Sequence, residues 1–291
     1  MKSRTFRIPF LLLIISRNFS LLNAAEPPAE IPFRLYDGFA IVVRGAIGSQ
    51  DNLNFLVDTG AVPSVVHQRL ARRLNLKGPR EDISVVSQNH SVERVALPQV
   101  RLGLVEFPSV SAVVLDLAPI EKRLGLRLDA IVGLDVLGDQ DFTIDYRLRQ
   151  ILIGVAATTG EAIPFELRTE ADAPYVLVRM EMNSQIVRLL LDTGADSITL
   201  FAARVQGRTL ALKKSGARKD VSAGGDYAVE RVQLSDVRLG GMNRGKRQAT
   251  MVESSASALR DFDGMLGPTS LGITRLGFDF RSKILYLQID R

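Results

Sequence analysis

Cysteine is absent from this chain and histidine nearly so, with His67 and His90 the only two in 291 residues. Without cysteine there can be no disulfide, zinc–thiolate site, iron–sulfur cluster or cysteine nucleophile. Two histidines cannot build a histidine-rich metal centre. Any Ser–His mechanism would have to draw on one of them, and each reads as an ordinary surface or loop histidine. No metal and no cofactor is expected. Long apolar runs are missing too, since no segment after the N-terminal 25 residues approaches the roughly 18 uninterrupted apolar residues of a membrane span. There is no low-complexity tract and no long run of one charge. At 46% hydrophobic and 24% charged residues the composition is that of a folded globular chain, long enough for two compact lobes.

The formal net charge is +5, but the basic residues are scattered. Their densest stretch, KKSGARK at 213–219, has no aromatic stacking platform beside it. It reads as a solvated loop, and no nucleic-acid partner is expected. Residues 1–25 carry Lys2, Arg4 and Arg7, then an apolar run from Ile8 to Ile15, then Ala24 and Ala25 before EPPAEIP. That order matches a secretory signal peptide. An exported protein, periplasmic or secreted and without a membrane span after processing, is the expectation; an uncleaved N-terminal anchor or a misplaced start is the alternative.

What is present is a chain written twice. FLVDTGAVPSVV (55–66) returns as LLLDTGADSITL (189–200), and DAIVGLDVLG (129–138) returns as DGMLGPTSLG (263–272), both displaced by 134 residues. VERVALPQVRLG (92–103) returns as VERVQLSDVRLG (229–240), displaced by 137, so length differences lie between the anchors, where loops accept them. IPFRL and IPFEL open the copies; TIDYR and GFDFR lie near their ends. Two homologous lobes follow, over 30–155 and 160–291. Short runs rich in Val, Ile and Leu, punctuated by Gly, Pro, Asn and Asp, make the class all-β. Helical spacing is confined to 67–76 and 201–212.

In each copy apolar residues lead into Asp-Thr-Gly-Ala, so a buried strand ends by delivering a carboxylate at a turn. A charge there is costly unless hydrogen bonded or paired. Glycine beside it lets the backbone turn tightly and aim N–H groups at the carboxylate. If the lobes face each other, Asp58 and Asp192 meet, cannot both ionise at moderate pH, and share a proton. Acid and base then sit at one spot, as hydrolysis by activated water requires.

These features resemble the retropepsin-like aspartic peptidases, with two lobes of retroviral size fused in one chain, similar in plan to pepsin-type enzymes. The resemblance implies two β-barrel lobes about a pseudo-twofold axis, with Asp58 and Asp192 catalytic. Thr59 and Thr193 would hydrogen-bond across the interface. Gly60, Ala61, Gly194 and Ala195 would complete the turns, and Gly133 and Gly267, each after two apolar residues, would pack behind them. It implies an extended peptide or unfolded protein as substrate, held beneath two flaps. The first flap is expected around Gln88, Asn89 and His90, the second around Ala223, Gly224 and Gly225. A single chain should suffice, as an intramolecular pseudo-dimer. Pepsin-type enzymes usually have Ser or Thr after the glycine, whose hydroxyl can hydrogen-bond the carboxylate; the side chains of Ala61 and Ala195 cannot, which points to a mildly acidic optimum. A non-catalytic peptide-binding module on the same fold is the alternative, and hydrolysis of a non-peptide amide or ester is a third reading.

Overall fold

The computed structural model describes residues 28–85, 88–108, 110–138, 140–170, 172–205, 213–222, 225–253 and 261–289. Residues 1–25, expected from the sequence to be a signal peptide, lie outside the described residues. The first half supplies strands β1 (Ala29–Tyr36), β2 (Ala40–Ile47), β3 (Gln50–Val57), β4 (Ser64–His67), β5 (Arg80–Val85), β6 (Gln88–Leu97), β7 (Val100–Leu102), β8 (Val105–Phe107), β9 (Val110–Leu115), β10 (Ala130–Val132), β11 (Phe142–Asp145) and β12 (Gln150–Ile153). The second supplies β13 (Glu161–Glu170), β14 (Ala173–Met182), β15 (Gln185–Leu191), β16 (Ile198–Phe201), β17 (Lys213–Ser222), β18 (Gly225–Leu239), β19 (Met242–Val252), β20 (Gly264–Leu266), β21 (Ile273–Asp279) and β22 (Ile284–Ile289). Helices are short: α1 (Gln68–Arg73), α2 (Ala118–Leu124), α3 (Leu134–Leu137), α4 (Ala202–Val205) and one 3₁₀ turn at Pro268–Leu271.

The two halves repeat one pairing pattern. β3 lies antiparallel to β2 and parallel to β10, which turns antiparallel onto β4; β15, β14, β20 and β16 do the same. A strand flanked on both edges and covered on both faces must be apolar throughout rather than alternating. Hence Phe55, Leu56 and Val57 in one lobe, and Leu189, Leu190 and Leu191 in the other, are all buried.

A shared sheet joins the lobes in the order β1, β12, β11, β21, β22, β13. At its centre Phe142 faces Phe278, Thr143 faces Gly277 and Ile144 faces Leu276. Displacement by 134 residues exchanges the outer two pairs and carries Thr143 onto Gly277. The pseudo-twofold axis therefore passes through the Thr143–Gly277 pair, and the Phe142 and Phe278 rings stack 4.3 Å apart beside it. β1 leaves this sheet after Pro32 to join β2, and β13 leaves it after Pro164 to join β14. Proline has no N–H to continue a ladder, so both copies change sheets at the same residue.

Several local expectations are corrected. KKSGARK is not a loop: it forms most of β17, paired along its length with β18. In the first hairpin Val85 pairs with Gln88, so Gln88, Asn89 and His90 sit on strand β6 rather than at a tip. The second hairpin pairs Ser222 with Gly225, and Ala223 and Gly224 lie outside the described residues. The helix expected over 67–76 is α1 alone. The one over 201–212 is seen as α4, its remainder falling outside the described residues. α2 was not anticipated, although Pro119 opens it and Gly125 closes it in the left-handed conformation at φ 65°. His67 is no surface residue: it is 3% exposed and caps α1 by accepting the Arg69 N–H. Burial, then the neighbouring Arg69 charge, holds its pKa below the usual imidazole value. Pro98 separates β6 from β7 where the second copy, with Ser235, runs through as the single strand β18.

Candidate active site

β3 and β15 end side by side at the interface, each releasing its chain into an Asp-Thr-Gly turn. The Asp58 N–H donates to the Val132 carbonyl at 2.9 Å, and the Asp192 N–H to the Leu266 carbonyl at 3.0 Å, so each turn is pinned to its own backing strand. Behind them Gly133 and Gly267 allow backbone contact: a Cβ on either would lie 2.3 Å from the carbonyl oxygen of Ala61 or Ala195. The carboxylates of Asp129 and Asp263 make a matching brace, accepting the N–H groups of Asn54 and Arg188 in the strands that carry the turns.

The threonines interlock. The Thr59 hydroxyl donates to the Leu191 carbonyl at 2.7 Å and accepts the Thr193 N–H at 3.2 Å. Reciprocally, the Thr193 hydroxyl donates to the Val57 carbonyl at 3.1 Å and accepts the Thr59 N–H at 3.0 Å. Both side chains are buried, so water cannot replace these bonds.

This interlock sets the two carboxyl groups side by side, each perturbing the other's proton affinity. Asp58 accepts the Gly60 N–H at 2.8 Å, and Asp192 accepts the Gly194 N–H at 2.8 Å. The glycines are not required by turn conformation, because neither has a positive φ. They are required by the opposite carboxyl: a Cβ on Gly60 would sit 2.7 Å from the Asp192 Cγ, and one on Gly194 would sit 2.5 Å from the Asp58 Oδ2. Gly194→Ala is therefore expected to fold yet to lose activity by about 10²-fold, the scale of an ångström-sized misplacement. A kcat assay beside a thermal melt checks both halves of that statement.

Burial raises the Asp58 pKa, and hydrogen bonds from Asp192 and from the Gly60, Gly194 and Ala61 N–H groups oppose the rise. Burial and then the adjacent Asp58 charge hold Asp192 well above the usual carboxylate range. Two carboxyls placed this close disfavour double ionisation at moderate pH.

The dyad opens into a cleft of roughly 210 Å³ between the lobes. One wall is apolar and belongs to the first lobe (Phe39, Leu56, Ile120, Leu124, Ile131); the other uses Leu190, Phe201, Phe262 and Met265 of the second. Of the hairpin residues named from sequence, none of Asn89, His90 or Gly225 is among this lining. Ile83 represents the first hairpin there; Asp220, Val221, Ser222 and Tyr227 represent the second. Burial, then the Asp220 charge, pushes the Tyr227 hydroxyl pKa up.

Sequence reasoning missed two groups. Asp135, at the start of α3, accepts the N–H and hydroxyl of Ser64, whose Oγ in turn accepts the Gly133 N–H at 2.9 Å. Burial raises the Asp135 pKa against these bonds. Only the first copy has this serine–aspartate pair, so the repeat could not expose it. The other is Arg123, which lies in the cleft with Asp196 and Asp220.

A search of curated proteins finds no match to the chain. A family model described as aspartyl protease matches residues 43–136 and 178–279, more than half of the chain, and each region holds one Asp-Thr-Gly turn and one backing glycine. The chain belongs to the retropepsin-like aspartyl protease family.

Proposed function

We propose that the protein is an aspartic endopeptidase in which Asp58 and Asp192 activate water against a peptide bond. The observation that carries this reading is the reciprocal threonine interlock, which brings the half-buried Asp58 and the buried Asp192 together at the floor of a cleft lined by both lobes.

In the resting state Asp58 is ionised and Asp192 protonated. Asp58 takes a proton from a water whose oxygen attacks the carbonyl carbon, while Asp192 gives its proton to the carbonyl oxygen, forming a gem-diol. Asp58 then passes its proton to the amide nitrogen as the C–N bond breaks. Asp192 recovers a proton from one hydroxyl as the carboxyl forms, and the dyad returns to its starting state. The apolar walls hold side chains on either side of the scissile bond, and the hairpins β5–β6 and β17–β18 cover an extended substrate. One chain supplies both aspartates, so a monomer is competent. The N-terminal segment supports an exported enzyme.

Turnover of an unfolded protein and of a peptide library, with new termini mapped by mass spectrometry and competition by a statine-type peptide inhibitor, is the test. Internal cleavage blocked by the inhibitor is expected. Peptide binding without new termini would favour the binding module, and hydrolysis confined to non-peptide esters or amides would overturn the substrate class.

A further inference from the structure

The lobes differ around Arg123. It stands in the last turn of α2, a first-lobe helix that packs against β17 and β18 of the second lobe. Its Nη2 donates to the Asp196 Oδ2 at 2.6 Å, and its Nη1 to the Asp220 Oδ1 at 2.9 Å, while its guanidinium lies 5.2 Å from the Phe39 ring centre. Asp196 is four residues past Asp192, in the second catalytic loop. Asp220 is on β17, directly across from Tyr227 on β18. One cation from the opposite lobe thus holds both the turn that carries a catalytic carboxyl and the hairpin above it. Arginine suits this because its planar fork presents Nη1 and Nη2 donors in a fixed geometry to two separate carboxylates, where an ammonium offers one compact, more strongly hydrated point of charge. Burial works against its charge, but Asp196 and then Asp220 keep the Arg123 pKa above its ordinary value. The first hairpin carries a different pair, Arg94 with Glu81, on its own two strands, and the position matching Asp196 in that lobe is Val62.

We propose that Arg123 is a positioning residue that clamps the β17–β18 hairpin over the cleft and couples its closure to the second catalytic turn, making this hairpin the flap that sets substrate affinity. The proposal rests on the peptidase reading of the site. The arm to Asp220 acts on flap closure, and so on KM; the arm to Asp196 acts on the turn, and so on kcat. Because the pairs are partly exposed, salt loosens the clamp.

Three variants separate these roles. Asp220→Asn should raise KM about tenfold and leave kcat within about twofold, the scale of one charge-assisted hydrogen bond. Arg123→Met keeps apolar contact with Phe39 but cuts both arms, so KM rises and kcat falls together. Arg123→Lys should recover one of the two parameters but not both. Adding Asp220→Asn to Arg123→Met should change KM no further. Independently of activity, backbone amides of β17 and β18 in Arg123→Met should exchange hydrogen about tenfold faster, while those of β3 and β15 are unchanged. Unaltered exchange in the hairpin, or equal acceleration in all four strands, would overturn the clamp. If the parent protein cleaves nothing, the peptidase reading fails, and hairpin exchange still decides whether Arg123 holds the flap.

Discussion

Asparagine in place of either Asp58 or Asp192 is expected to abolish cleavage and, at neutral pH, to make the protein more stable. The first effect follows from dividing labour between two carboxyls: a dyad with one member replaced has no partner to take up or return the proton, and general acid–base contributions of this kind are about 10²–10⁴-fold each. The second follows from the raised pKa values of both aspartates, whose main cause is burial. A carboxyl whose folded pKa lies above its unfolded value binds protons more readily in the folded state. Stability is then full at low pH, where both states are protonated, and is lost as pH rises through the window between the unfolded and folded values. Asparagine carries no such penalty. Asp192→Asn should therefore melt higher than the parent at pH 7, with the gain shrinking towards about pH 4, near the unfolded aspartate value. Asp192 is the better choice because the adjacent Asp58 charge adds to its burial. Melting curves at several pH values, run beside a turnover assay, read both effects. Retained turnover in either variant would sink the dyad, and a lower melting point at pH 7 would sink the assigned proton.

Most parts of the catalytic turns that fall on both copies alike showed in the sequence. The Asp-Thr-Gly turns, the apolar strands leading into them and the glycines behind them recur at one displacement because two lobes about one axis need the same parts. The sheet-changing prolines Pro32 and Pro164 were visible for the same reason. Features that break the symmetry were hidden. Arg123 meets Asp196 and Asp220 from 73 and 97 residues away, and no local pattern marks a pairing of that span. Gln88, Asn89 and His90 read as a hairpin tip because no glycine in that stretch marks where the chain reverses, yet Val85 already pairs with Gln88. The reason given for Gly60 and Gly194 held only in part: their N–H groups do meet the carboxylates of their own turns. Sequence suggested backbone freedom, but the constraint is the carboxyl of the other lobe, which becomes visible only once the lobes are brought together.

The interlock leads to the second large effect: Thr59→Val should both destabilise the protein and disable it, although valine matches threonine in shape. The substitution leaves the Leu191 carbonyl and the Thr193 N–H without their partner in a site where Thr59 and Thr193 are at most 1% exposed. A buried polar group that loses its hydrogen bond costs about 1–3 kcal/mol. Two such groups in a chain of this size correspond to a fall in melting temperature of roughly 5–20 °C. Thr193→Val orphans the Val57 carbonyl and the Thr59 N–H instead, a separate set of equal size, so the two variants should lose similar stability. Thr59→Ser keeps the hydroxyl and should keep most of the activity; this serves as the control against a mere packing effect. Because the same four bonds hold the two turns in register, turnover should fall in both valine variants even at temperatures where they remain folded. A Thr59→Val protein with parental stability and turnover would mean that the carboxyl groups are held together by something other than the threonines.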